Sequence, residues 1–221
     1  MTDVVIFGTG SFAELVDVYL TSDERYDVVA FSVSDDLFDE ESPTLRDRPI
    51  VKFSDLDQHF DRAVTKVFVA IGYRGMNAIR REFCLDLQKK GFSLLTYVHP
   101  SVIQHESHTI GKNVFIFEDN TVQPFVKLGD GVVLWSGNHI GHHSVIDDWV
   151  FVASHVVISG HCSIGESSFL GVNCTIADGV CIASSNLIGP GAVLQKNTQP
   201  GEVWLADKAK KFPKPSSFFL N

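Results

Sequence analysis

A chain of 221 residues, 44% of them hydrophobic, is long enough for one large or two small domains with real cores. Its formal net charge of −9 argues against a general affinity for nucleic acid or an anionic membrane and leaves room only for a local basic pocket. Met1-Thr2-Asp3 lacks a basic leader, no apolar run is long enough to span a bilayer, and four cysteines show no paired framework, so the reading is a cytoplasmic protein with reduced thiols.

Val4–Phe7 reads as a short buried strand running into Gly8-Thr9-Gly10-Ser11-Phe12-Ala13, which fits G-x-G-x-x-A. A helix through Glu14–Leu20 and a second strand, Tyr26–Val33, complete a βαβ start. Its glycine turn sets backbone N–H groups and a helix N-terminus where a phosphate can sit, with Gly8, Gly10, Ser11 and Phe12 as candidate contacts. The bland alternative is that the glycines only let the first turn pack tightly. A full NAD site is disfavoured, because the unit is about half a dinucleotide fold and Asp35-Asp36 lie past the usual carboxylate position. Asp35 to Asp47 is rich in Asp, Glu, Ser and Pro and reads as a surface loop over a nucleotide base, with Asp35 in contact. Lys66–Gly72 is a later strand, and by topology Gly72, Tyr73 and Arg74 face the same crevice. A helix over Asn77–Lys90 and a strand over Phe92–Val98 close the unit, and His99-Pro100 punctuates the chain.

From Ile110 to Leu194 every sixth residue is Ile, Val or Leu, fifteen positions in succession. Neither a helix nor a simple amphipathic strand has that period; a solenoid of short strands and turns does. Two residues before each aliphatic stands a mostly small or β-branched residue, with Asn120, Asn138 and Asn186 fitting an asparagine ladder. Glycine directly follows six of the aliphatics, as at Gly111, Gly141 and Gly171, where a tight corner is expected to demand positive φ. The pattern resembles the hexapeptide-repeat proteins, which implies a left-handed parallel β-helix. The expected fold is therefore α/β plus β-solenoid: a small Rossmann-like βαβ domain over 1–100, a left-handed β-helix over 101–205 and a tail over 206–221.

The two halves in this order resemble the nucleotide-sugar acetyltransferases of bacterial surface-glycan pathways, the sialic-acid O-acetyltransferase-like group that includes bacillosamine- and perosamine-type N-acetyltransferases. The resemblance covers nearly the whole chain. It implies a nucleotide-linked amino sugar in the first domain, acetyl-CoA as co-substrate with no metal, and a homotrimer with active sites between subunits. It also implies a role in lipopolysaccharide O-antigen synthesis. Ile140-Gly141-His142-His143-Ser144-Val145-Ile146 matches the family's catalytic hexad and puts His142 at the base position. His143 stands where relatives carry an acid, so the group orienting His142 is left among His143, Asn138, Asp147 and Asp148. The same resemblance assigns Gly160, Gly171, Gly189, Gly191, Lys208 and Lys210 to the CoA groove, although the relatives' Pro-Ala-Lys segment is replaced by Asp207-Lys208-Ala209-Lys210-Lys211. Trp135, Trp149 and Phe151 are expected on an exposed face suited to trimer formation.

Three other readings stay open. The same scaffold supports O-acetylation of a sugar hydroxyl, and a sensor that binds the ligand without turnover has the same features. Seven of nine histidines lie between His105 and His161, with His143 and His161 one coil apart, which resembles the zinc-dependent γ-class carbonic anhydrases.

Overall fold

The computed structural model describes residues 1–219. Its first unit is built on β1 (Thr2–Phe7), α1 (Ser11–Thr21), β2 (Tyr26–Val33), β3 (Thr44–Leu45), β4 (Arg48–Lys52), α2 (Leu56–His59), β5 (Lys66–Val69), α3 (Ala78–Lys89) and β6 (Ser93–Leu94). The strands lie in the order β3-β4-β2-β1-β5-β6, all neighbours parallel except β3 and β4. Val4, Val5, Ile6 and Phe7 are buried on both faces of the sheet, as a central parallel strand requires. The chain leaves β1 first towards β2 and later towards β5, so the order reverses beside β1.

Asp35 to Asp47 is not one loop. Residues 35–37 form a 3-10 turn, and Thr44–Leu45 turns back on Arg48–Pro49 through Arg46 and Asp47, both at positive φ as a tight hairpin demands. Both arginines bind the buried carboxylate of Asp17 on α1, Arg46 at 2.6 Å and Arg48 at 3.1 Å, which fastens the hairpin to the helix.

The expected strand over Phe92–Val98 is split. Ser93–Leu94 pairs with β5, whereas β7 (Tyr97–Val98) pairs with Phe115–Ile116 and so already belongs to the solenoid. From there two-residue strands stack in three parallel sheets of seven, five and five strands, the left-handed β-helix expected. Partners are eighteen residues apart, as in Val133↔Phe151 and His139↔Val157. The aliphatic of each hexad and the small residue two before it fill a continuous prism core. The asparagine ladder is present at Asn120 and Asn138: Asn120 Oδ1 accepts from the Asn138 N–H, and Asn138 Oδ1 accepts from the Val156 N–H.

The expected role of the glycines after the aliphatics is corrected. Gly111, Gly141 and Gly171 do not have positive φ; the left-handed corner falls two residues later, at Asn113, His143 and Asn173 and their equivalents in every coil. Gly141 is glycine for want of space, since a Cβ there would lie 2.4 Å from the Ser159 carbonyl carbon and 2.5 Å from the Gly160 nitrogen.

The aromatic face expected to support a trimer is also corrected. Trp149 and Phe151 are buried and Trp135 half-buried, because the N-terminal unit lies on the seven-stranded sheet and its flanking corners. Phe115 stacks on Tyr97, and Phe117 on Trp135. Polar ties cross this interface, among them the exposed Arg81–Glu166 pair at 2.8 Å and three more deeply placed ones. Asn113 bonds both backbone groups of Val69. Tyr19 donates to Glu118 at 2.6 Å, and burial with that carboxylate pushes its phenol up to about 12. Arg80, fully buried on α3, donates to the carbonyls of Ile71 and, at 2.8 Å, Gly131 on a solenoid corner. With no carboxylate beside it, burial lowers its guanidinium to about 10.

Candidate active site

At the carboxyl ends of β1, β2 and β5, where the strand order reverses, a cleft of about 410 Å³ opens. Gly8, Gly10, Ser11 and Phe12 line one side, Ser34 and Leu37 another, and Gly72, Arg74 and Phe83 the third. Gly8 is required twice over: its φ is +123°, and a Cβ would approach the Ala70 carbonyl oxygen to 2.9 Å. Gly10, at the N-cap of α1, has an ordinary φ of −87° and open space where its Cβ would be. The amides of Ser11 and Phe12 find no acceptor among the described residues. Free N–H groups, a helix start and one basic side chain make an arrangement chemically suited to an anion.

Two of the expected contacts lie elsewhere. Asp35 is exposed and accepts from the Ser54 N–H, which also holds its carboxyl below the usual range. Tyr73 turns from the cleft to the β-helix, its ring 4.7 Å from Phe169 and 5.0 Å from Phe151. Six of the eight expected residues therefore converge: Gly8, Gly10, Ser11, Phe12, Gly72 and Arg74.

His142 lies on the solenoid corner between the two five-stranded sheets. Its backbone N–H donates to Gln123 Oε1, and its Nδ1 lies 3.1 Å from His143 Nδ1. The ring rests on Gly160, where a Cβ would sit 2.9 Å from its Nε2 and 3.1 Å from Asp178 Oδ1. Glycine at 160 thus makes room for the imidazole, and Asp178 faces the same gap. Neither Asp178 nor His161 stands out in a motif. Their signal is the repeat: Asp178 is one coil beyond Gly160, and His161 one coil beyond His143.

The other orienting groups do not reach His142. Asn138 is inside the prism and donates to the Trp135 carbonyl. Asp148 accepts from the Asp130 N–H on the next corner, beyond Val145–Ile146. Asp147, beside it, has its carboxyl raised by burial and by Asp148 and Glu166. His143 is the member of that set that touches the ring.

Gly171, Gly189 and Gly191 occupy a different corner from Gly160. Gly171 and Gly189 are spaced by close approach of the next coil, and Gly191 takes the left-handed corner with φ +69°. The segment after Val203–Trp204 runs past them: Leu205 Cδ2 would meet a Cβ on Gly189 at 2.8 Å and Ala206 Cβ one on Gly191 at 3.9 Å. The exposed Lys208 and Lys210 follow at that end of the prism.

No family model matches the chain. A segment is 31% identical over 71 residues to γ carbonic anhydrase 1 of Arabidopsis thaliana mitochondria, covering 31% of this chain and 26% of that protein. Another is 28% identical over 83 residues to UDP-3-O-acylglucosamine N-acyltransferase of Albidiferax ferrireducens, covering 36% of this chain and 25% of that one. The chain therefore spans about a quarter of the length of these curated relatives. Likeness to solved structures is far more extensive. The acetyltransferase domain of PglB from Neisseria gonorrhoeae, also solved in complex with acetyl coenzyme A, aligns with TM-score 0.82 at 22% identity over 96% of this chain and 100% of that chain. PerB from Caulobacter crescentus, in complex with CoA and GDP-perosamine, aligns with TM-score 0.82 at 24% identity over 93% of this chain and 95% of that one. At such identities the likeness establishes a shared fold, in both halves and in the same order.

Proposed function

We propose that this protein is an acetyl-CoA-dependent N-acetyltransferase that acts on a nucleotide-linked 4-amino-4,6-dideoxysugar, in the cytoplasm, for O-antigen or related lipopolysaccharide synthesis. The observation that carries the reading is one chain holding both a cleft with unpaired helix-start amides at a strand-order reversal and an accessible imidazole on a β-helix corner. The solved enzymes that share this fold along nearly their whole length bind acetyl coenzyme A in one case and CoA with GDP-perosamine in the other.

The diphosphate sits on the free amides of the glycine turn, with Arg74 as its cation. His142 Nδ1 and His143 Nδ1 are 3.1 Å apart, and in the reactive tautomer His142 Nδ1–H is the donor of that pair, which leaves Nε2 with a lone pair. Nε2 removes the proton as the amine attacks the thioester carbon; collapse of the tetrahedral adduct re-forms the carbonyl and expels CoA thiolate, which takes up a proton. Holding both substrates in register supplies the rest of the rate, without an acyl-enzyme. Gly160 frames the thioester, Gly171, Gly189 and Gly191 line the CoA groove, and Lys208 and Lys210 meet its phosphates.

The same geometry supports a homotrimer. The N-terminal unit covers the seven-stranded sheet, whereas His142 lies on the corner opposite that sheet. A chain's own cleft does not face its own base, and a homotrimer supplies each base with a neighbour's cleft.

The test is thiol release from acetyl-CoA with UDP-, dTDP- and GDP-linked 4-amino-4,6-dideoxysugars. One amino sugar is expected to react, with a His142→Ala rate lower by about 10²–10⁴. No release with any of them, from protein that still binds a nucleotide-sugar, rejects the reading in favour of a hydroxyl acceptor or a sensor.

A further inference from the structure

His142 has a second neighbour that acetyl transfer does not use. His143 and His161 both occupy the left-handed corner, with φ 58° and 55°, in successive coils. That conformation is uncommon for non-glycine residues, with Asn, Asp and His enriched among the exceptions, and the corners of this solenoid also hold Phe125, Trp149 and His155 in it. One coil advances one strand spacing, so the two rings lie face to face, centroids 5.0 Å apart and planes at 17°. The His142 ring stands edge-on to both, at 87° to His143 and 86° to His161. One ring nitrogen from each of the three lies within 4.8 Å of the others, and all three side chains are exposed.

We propose that these three imidazoles form an inhibitory site for a divalent transition-metal ion of the imidazole-binding class, zinc foremost. A tetrahedral ion with metal–nitrogen bonds of about 2.0–2.1 Å holds its ligand nitrogens about 3.3 Å apart. His142 Nδ1 and His143 Nδ1, at 3.1 Å, already span one edge of that figure. The third ligand is a nitrogen of the exposed His161 ring, which lies within 4.8 Å of the other two and has to close in on the ion, and water completes the set. Imidazoles select zinc, copper, nickel and cobalt over magnesium and calcium, whose preferred ligands are oxygens. All three ligands come from one chain, so the site needs no second subunit.

A metal here opposes the proposed chemistry. An ion on His142 Nδ1 displaces the proton from that nitrogen and holds the neutral ring in the tautomer with its proton on Nε2, where the base is required; an ion on Nε2 blocks it directly. The binding half of the inference stands on geometry alone, and the inhibition half rests on the proposed acetyl transfer.

The experiment uses full-length, chelator-stripped protein titrated with Zn²⁺ against a chromophoric indicator, and with Co²⁺ followed by visible absorption. Wild type is expected to bind one equivalent and to give the intense bands of tetrahedral cobalt. His161→Asn, which keeps a corner-compatible residue, is expected to bind at least tenfold more weakly at an unchanged melting temperature. In the transfer assay Zn²⁺ should inhibit wild type, EDTA should restore it, and His161→Asn should turn over normally without zinc inhibition. No saturable binding, or binding undiminished in His161→Asn, overturns the site. Binding with the expected variant pattern in a protein that transfers no acetyl group upholds the site and rejects the transferase reading instead.

Discussion

Gly141 and Gly10 show how differently the two halves of the molecule use space. On the β-helix a Cβ at Gly141 meets the next coil's backbone at 2.4 Å, while at the start of α1 a Cβ on Gly10 meets nothing within 4 Å. The solenoid is filled by its own repetition, each coil seated on the one before. The N-terminal unit is close-packed around β1 and then stops, leaving volume at the strand ends that a ligand can enter. Gly141 is thus a spacer and Gly10 a vacancy.

The contrast is sharpened first at the joint. Arg80 is among the largest fully buried side chains of the described residues and bonds both regions, so Arg80→Ala should cost about 4 kcal/mol through the cavity and its stranded carbonyls. Calorimetry checks whether the chain still melts in one transition. Two transitions would show the regions to be separable; one, at lower temperature, a single cooperative unit. Gly141→Ala should cost about 3 kcal/mol in denaturant unfolding, because the atoms in the way are backbone. Gly10→Ala should change stability by less than about 1 kcal/mol yet weaken nucleotide-sugar binding about tenfold by isothermal titration. Equal stability losses in the two glycine variants would erase the distinction. Smallest is Asp23→Asn on the surface of the first unit. The Arg25 guanidinium holds the Asp23 carboxyl below its usual range, a contribution under about 1 kcal/mol. Because the folded pKa is the lowered one, this stability is present above the unfolded value of about 3.9 and is lost as pH falls through the folded value. Wild-type and variant melting temperatures should differ at pH 7 and converge in acid.

How far each half was legible follows from the same difference. In the β-helix, phase alone gave the core, the strand register and the stacking of His143 on His161, because eighteen residues always return the chain to the same face. What phase did not give was the backbone: the left-handed residue lies three after the aliphatic, not one, and only the close approach at Gly141 shows why glycine is there. In the first unit the glycine turn and the two main helices were legible from local pattern. β4 was hidden by its proline and charged ends, and Tyr73 was misdirected because its partners, Phe151 and Phe169, lie some eighty residues or more away. Arg80 was invisible for a like reason: a charged residue on a polar helix reads as solvent-facing until another domain covers it. His142 was placed by its motif, but its contacts with His143 and Gly160 required the corner's shape.

Because successive coils pair in register eighteen residues apart, positions 143, 161 and 179 stack in one column with like backbone, φ 58°, 55° and 69°. A constellation of side chains written at one level has a like backbone beneath it at the next, so the histidine corner is an address that protein engineers can re-use up or down the column, provided the glycine that seats the ring, Gly160 under His142, moves with it. The cleft offers no such freedom, for the strand order of its sheet reverses only once.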